Sequence, residues 1–204
     1  MALREAVLAA LLDGEASGYD LSKRFDATVA NFWMATPQQL YRELDRLASD
    51  GLIVARIVEQ DRRPTKRMYS LTETGRQILR AFTASTPKPS VIREDLLVQI
   101  RAMDGADTAA VRASLVERQR SAVEKLASYQ RLKAAALGDQ SEDSHIRETT
   151  RIGPYLTLLR GIQFEQGNIE WIRRVLAIID ERASSQAERA AGPRPSGGAA
   201  CVSS

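Results

Sequence analysis

At 204 residues, with 44% hydrophobic residues and 5% aromatics, the chain holds enough apolar surface for one or two ordinary compact domains. A single cysteine and a single histidine exclude an internal disulfide and leave little material for a zinc site or a nucleophile–histidine pair. The net charge of +3 is too small to mark a nucleic-acid binder, so charge must be read locally.

Between Met1 and Ala84 twelve basic residues face eleven acidic ones, yet Arg56, Arg62, Arg63, Lys66 and Arg67 crowd into one short segment against only Glu59 and Asp61. No run approaches the roughly 18 apolar residues of a membrane span. Met1 to Leu12 carries Arg4 and Glu5 within a helix-like pattern, unlike a signal peptide, so a cytoplasmic location is expected.

Leu3, Val7, Leu8, Leu11 and Leu12 recur at helical spacing until Asp13-Gly14 stops them. A second helix starts near Ser17-Gly18, with Leu21, Phe25 and Val29 as its buried stripe and Lys23 and Arg24 away from it. After a connection over Asn31 to Ala35 comes Thr36-Pro37-Gln38-Gln39. Here Thr36 caps a helix, Pro37 suits its first position and Gln39 closes a capping box. Leu40, Leu44 and Leu47 form the core stripe of this helix, and Gly51 marks its end.

Past Gly51 the period falls to two, as Ile53, Ala55 and Ile57 alternate with Val54, Arg56 and Val58, which predicts a strand. Asp61 to Thr65, with Pro64, is expected to break it, and Arg67 to Leu71 supplies a second short strand. The result is a hairpin with a basic tip. Thr72 then caps a fourth helix bearing Ile78, Leu79 and Phe82. Three helices, a hairpin and a further helix is the order of a winged helix-turn-helix.

Pro87 and Pro89 mark a junction, and the chain beyond it reads as helical. A short helix covers Val91 to Met103, a long one Thr108 to about Leu137, and Gly138 to Ser144 is polar and loop-like. From Pro154 to about Ile179, Tyr155, Leu158, Ile162, Ile169, Ile172, Leu176 and Ile179 keep the spacing of a coiled-coil seam, interrupted by Glu165. Beyond Ser184 the periodicity ends and a disordered tail is expected. The fold class is therefore mainly α. A winged helix-turn-helix DNA-binding domain with a short β-hairpin wing spans 1–84, an all-helical dimerisation/effector domain 90–183, and the tail 184–204.

In this order the sequence resembles the PadR family of regulators, in the subgroup with a long helical C-terminal domain of the virulence activator alpha type. The resemblance covers about Met1 to Arg182. It is carried by Ser17-Gly18-Tyr19-Asp20-Leu21, Leu40-Tyr41-Arg42-Glu43-Leu44-Asp45-Arg46-Leu47, Gly51-Leu52-Ile53 and Tyr69-Ser70-Leu71-Thr72-Glu73-Thr74-Gly75. Gly161-Ile162-Gln163-Phe164-Glu165 and Ile169-Glu170-Trp171-Ile172 are similar to the family's last helix. Such membership implies a DNA-binding homodimer, often a repressor, sometimes an activator, and often released by a small molecule.

The residues point the same way. Burying Leu40, Leu44 and Leu47 turns Gln38, Arg42, Asp45 and Ser49 to the opposite face, with Arg46 alongside. Arginine suits guanine O6/N7 and glutamine suits adenine, while the helix start at Thr36 to Gln39 offers N–H groups to a phosphate. Tyr41 lies beside the leucine stripe, placed either to pack in the core or to point its hydroxyl at the DNA backbone. Arg62, Arg63, Lys66 and Arg67 are expected at a wing tip that touches phosphates or the minor groove. Leu158, Ile162, Ile169, Ile172, Leu176 and Ile179 are expected to build the dimer, because a lone chain would have difficulty covering so long a stripe.

Phe32, Trp33, Phe164 and Trp171 are candidate walls of a pocket for a small aromatic effector, though aromatics at helical spacing commonly serve as core. Glu165 either pairs with an arginine such as Arg160 or Arg173, or sets interface register, or contacts a ligand. His145 reads as surface decoration. No cofactor and no metal are expected, and the paired acid/base set of an enzyme is not visible. The competing reading is a helical interaction protein whose winged domain does not bind DNA; the presence of Arg42, Arg46 and the wing charges argues against it. Double-stranded promoter DNA is the expected partner, and repression the default, since a dimer clamped over a promoter blocks polymerase without further contacts.

Overall fold

The computed structural model of the protein describes residues 2–28, 35–60, 63–87, 89 and 93–191. In chain order it contains α1 (Ala2–Ala10), a 3-10 turn (Leu11–Asp13), β1 (Ala16–Ser17), α2 (Gly18–Thr28), α3 (Pro37–Ser49), β2 (Ile53–Gln60), β3 (Arg63–Leu71) and α4 (Glu73–Thr83). Beyond these lie α5 (Asp95–Ala102), a second 3-10 turn (Met103–Gly105), α6 (Thr108–Leu137), α7 (Glu142–Glu148) and α8 (Ile152–Ala191). It divides into two compact units, Met1–Ile92 with Leu126–Gln163, and Arg93–Lys125 with Phe164–Ser204. No described helix is long and apolar enough to cross a membrane.

In the first unit the apolar stripes of α1, α2 and α3 meet in one core. Val7, Leu8, Leu11, Leu21, Phe25, Leu40, Leu44 and Leu47 are all buried there, joined by Leu52, Ile53, Tyr69 and Leu79. The sheet has the order β1-β3-β2, and both pairings are antiparallel. The two-residue strand β1, pairing Ala16 with Tyr69 and Ser17 with Met68, is too short to leave a period-two signal in the sequence. The wing also differs from expectation. Pro64 falls inside β3 because only Met68 and Tyr69 pair with β1, so the Pro64 stretch is an open edge on that side. A missing N–H costs nothing there. The alternation along β2 does not mean burial throughout, since Ile53 is buried while Ile57 is 72% exposed where the hairpin leaves the core.

Gly51 closes α3 at φ +69°, a conformation side chains disfavour, and Leu52 N–H then donates back to the Leu47 carbonyl. Thr72 joins the hairpin to α4. Its hydroxyl donates to the carbonyls of Gly51 and Leu52 and accepts from Gly75 N–H at 3.1 Å.

In the second unit Val111 and Leu115 of α6 pack with Ile172 and Ile179 of α8, and Leu96, Ile100 and Met103 close the cluster. Arg112 clamps Asp180 with two hydrogen bonds of 2.8 and 3.1 Å. Glu165 is 3% exposed and sits in this seam. It pairs with Arg118 at 3.4 Å and Lys125 at 4.0 Å, both from α6, and accepts from the Asn168 amide at 3.0 Å.

Two boundaries depart from the sequence reading. Helix α7 occupies part of the expected loop, and Ser141 caps it by accepting from Ser144 N–H, with Glu142 and Asp143 in its first turn where acids are favoured. Helix α8 runs to Ala191, through the first part of the expected disordered tail. Residues 184–191 include Ala, Gln, Glu and Arg, good helix formers that extend a helix already nucleated. Val29 and Cys201 lie outside the described residues.

Candidate nucleic-acid interface

The capped start of α3 forms as its sequence predicts. Thr36 hydroxyl accepts from Gln39 N–H at 3.2 Å and the Gln39 side chain accepts from Thr36 N–H at 2.9 Å, with Pro37 in the first turn. With Leu40, Leu44 and Leu47 buried, Gln38, Gln39, Tyr41, Arg42, Asp45, Arg46 and Ser49 are exposed. Arg46 reaches Asp50 only loosely, at 3.9 Å. Among the described residues no carboxylate is paired with Arg42, so its guanidinium is available to a partner.

Tyr41 is 44% exposed and does not enter the core. Its ring lies on Gly18, where a Cβ would run into it, so the glycine lets the start of α2 meet α3 closely. The adjoining Tyr19 is 61% exposed and carries the Lys23 ammonium 4.5 Å from its ring centroid. Tyr19 and Lys23 thus extend the exposed surface onto α2. Sequence reasoning missed them as site residues; the available signal was an aromatic off the Leu21 and Phe25 stripe.

The basic wing is less open than its composition suggests. Lys66 pairs with Asp20 at 2.7 Å, Arg67 with Asp45 at 2.9 Å, and Arg56 grips Glu15 through two contacts of 2.6 Å. The Lys66 ammonium, helped by the Ser17 hydroxyl, holds the Asp20 carboxyl below its ordinary range, and Arg56 does the same to Glu15. Arg67 also lies over the ring of Tyr69, 5.3 Å from the centroid, and burial pushes the Tyr69 hydroxyl up. Each pair is largely solvated, so it orients a cation more than it stabilises the fold. Arg62 and the side chain of Arg63 lie outside the described residues. The surface that results is a capped helix presenting Gln38 and Arg42, flanked by Tyr19 and Lys23 on α2 and by Lys66 and Arg67 on β3.

The expected dimer stripe meets a different fate. Ile169, Ile172 and Ile179 are buried within the chain, Leu176 packs on the α6 cluster, and Leu158 and Ile162 are half-buried. Helix α6 therefore covers much of the stripe that a second chain was expected to cover. Besides Leu156, at 54%, α8 leaves exposed a parallel row seven residues apart, Phe164, Trp171 and Ile178, at 45%, 37% and 45%. Phe32 and Trp33, the other expected pocket walls, lie outside the described residues. His145 is half-buried against Tyr155, ring centroids 4.8 Å apart, and is not surface decoration. Among the described residues no group of three acidic, histidine or cysteine side chains could hold a metal.

Comparison with known proteins places this geometry. The family model for the transcriptional regulator PadR-like family matches residues 7–81, and that for the virulence activator alpha C-terminus matches residues 92–180. A probable transcriptional regulator of Mycobacterium tuberculosis is 29% identical over 89% of this chain and 100% of its own. The negative transcriptional regulator PadR of Bacillus subtilis is 29% identical over 88% of this chain and 98% of its own. The B. subtilis protein solved in complex with operator DNA matches at TM-score 0.69 and 26% identity, covering 88% of this chain and 99% of that one. Solved in complex with p-coumaric acid, it matches at 0.64 with the same identity and coverage.

Proposed function

The chain belongs to the PadR-like family of transcriptional regulators, with a virulence activator alpha-type C-terminal region, and from that premise we propose that it binds pseudo-palindromic promoter DNA as a homodimer and acts as a repressor released by a small-molecule effector. It works in the cytoplasm, where its DNA is. Residues 1–84 bind DNA, and 90–183 dimerise and respond to effector.

The observation that carries this reading is the exposed Arg42 and Gln38 on the face of α3 opposite its buried leucines, one turn apart and close to a capped helix start. Set in a major groove, that face offers a guanidinium to guanine and an amide to adenine, while the backbone N–H groups at Thr36 to Gln39 meet a phosphate. Tyr41, Tyr19 and Lys23 then lie along the sugar-phosphate backbone and position the helix. Arg62, Arg63, Lys66 and Arg67 hold the flanking phosphates; for Lys66 and Arg67, Asp20 and Asp45 fix the direction of approach.

The dimer is better built from the exposed row of α8 than from the stripe already packed on α6. Phe164, Trp171 and Ile178 repeat at heptad spacing, which a second α8 can match across a two-fold axis. The same residues are then spent on a protein interface and are not walls of an effector pocket. That a relative was solved with p-coumaric acid supports an effector of similar size and chemistry here.

Retardation of the chromosomal DNA upstream of its own gene by the full chain, across a salt series, tests the reading. A specific band is expected, lost steeply with salt and lost with Arg42→Ala. The competing reading, a helical adaptor with a silent winged domain, draws on the neutralised Lys66 and Arg67 and predicts no specific band at any salt.

A further inference from the structure

Three cations of the hairpin are each held by a carboxylate. Arg56 takes Glu15 and Lys66 takes Asp20, acids that precede or open α2, whereas Arg67 takes Asp45 of α3 at 2.9 Å. Asp45 therefore stands on the very face of α3 that carries Arg42. Three residues apart, the two share a side of the helix, yet the Asp45 carboxylate turns to β3 and leaves Arg42 without a carboxylate partner among the described residues.

An acid at this place works against the rest of the face. Toward DNA it repels phosphates, and it occupies a cation that could neutralise one of them. Both side chains of the pair are exposed, so the bridge adds little to stability in return. What a carboxylate can do in a major groove is accept, and only the exocyclic amino groups of cytosine and adenine donate there; guanine and thymine present acceptors alone. Arg67, for its part, does not depend on Asp45 to stay in place. Its guanidinium lies over the ring of the buried Tyr69, 5.3 Å from the centroid, which keeps it beside α3 when the ion pair opens.

We propose that Asp45 is a specificity-determining residue that latches Arg67: it yields the guanidinium to a DNA phosphate only where a cytosine or adenine of the operator donates its amino group to the carboxylate in exchange. On other sequences Arg67 stays paired, one phosphate contact is missing, and the carboxylate meets the groove without a donor. On the operator both contacts are gained together. The exchange is feasible because the bridge is weak in water, and it discriminates by a repulsive element aimed at wrong sequences. This deepens the DNA-binding reading of α3 given above and rests on it.

Site selection from random duplexes, followed by titration of the full chain with the selected duplex and with a shuffled duplex of equal length across a salt series, tests the latch. Asp45→Ala is expected to tighten binding to the shuffled duplex several-fold and to steepen its log–log salt slope by about 1, because Arg67 is released to a phosphate. Misfolding cannot imitate that gain. Binding to the selected duplex does not tighten, so the ratio of the two affinities falls about tenfold or more. Combined with Arg67→Ala, Asp45→Ala no longer steepens the slope. Selection with Asp45→Ala loses a preference for cytosine or adenine at one position of each half-site, distinct from the one lost with Arg42→Ala. An unchanged slope on the shuffled duplex, the same steepening without Arg67, or an unchanged selected site overturns the proposal. Any of these from a chain that still selects a specific site removes the latch and keeps the regulator, whereas failure of the unaltered chain to select any site removes both.

Discussion

Helices α3 and α8 each carry an apolar stripe, interrupted in α8 by Glu165, and both bury it within their own chain, yet they are left with opposite remainders. Helix α3 gives Leu40, Leu44 and Leu47 to the winged core and keeps an outer face of Gln38, Arg42, Asp45 and Arg46. Helix α8 gives Ile172 and Ile179 to α6 and keeps a second row that is still apolar, Phe164, Trp171 and Ile178. The face an amphipathic helix does not bury at home identifies its partner. Polar and cationic side chains on a capped helix suit a nucleic acid, and aromatic and aliphatic ones at heptad spacing suit another helix.

The comparison breaks first where the buried stripes are attacked. Ile172→Asp places a carboxylate in the α6 seam and is expected to cost several kcal/mol, with loss of the cooperative unfolding transition of the helical part. Leu44→Ala should cost about 2–5 kcal/mol by opening the winged core, and weaken DNA binding only by unfolding it. Thermal and urea unfolding check both. By contrast Trp171→Asp should leave the unfolding midpoint nearly unchanged and give monomers in light scattering. A Trp171→Asp dimer, or an Ile172→Asp protein that stays folded but monomeric, would return the interface to the inner stripe.

Next in size is the polar face. Arg42→Ala should cost roughly 1–3 kcal/mol on the operator and nothing measurable in stability. Thr36→Ala should cost about 1 kcal/mol of stability, because it removes the bond to Gln39 N–H.

Much of this was readable from residues 36–51, because capping, proline placement and leucine spacing are all local signals. The wing was readable in type but not in extent. Pro64 argues against a strand, and only the shortness of β1, which leaves that part of β3 an open edge, lets it lie in one. The inner seam of α8 was legible as a seam, but spacing alone does not say whether the covering helix is the chain's own or a partner's. The ion pairs of Glu15 and Asp20 join residues far apart in sequence, so no local pattern announces them. Nor does composition show that Lys66 and Arg67 arrive already paired.

The smallest expected effect concerns that pairing. The Asp20 carboxyl is lowered by Lys66, so what the pair contributes is fully present above the ordinary carboxylate value and is lost as pH falls through the lowered one. Amide protection factors at Ser17 and Met68, where β1 meets β3, should fall as the solution is acidified through that window. Asp20→Asn should remove the pH step. An identical step in Asp20→Asn would assign it to another carboxylate.

The claim on which the account turns is that α3 reads base edges through Arg42. Selection of binding sites from random duplexes, run in parallel with the unaltered chain and with Arg42→Ala, addresses it most directly. The account predicts a two-fold symmetric site with half-sites about one helical turn, or a multiple of it, apart, and a loss of preference at one base pair in each half-site for the variant. If Arg42→Ala selects the same site with every position equally weakened, Arg42 is a phosphate anchor and the reading face has been assigned to the wrong side chains.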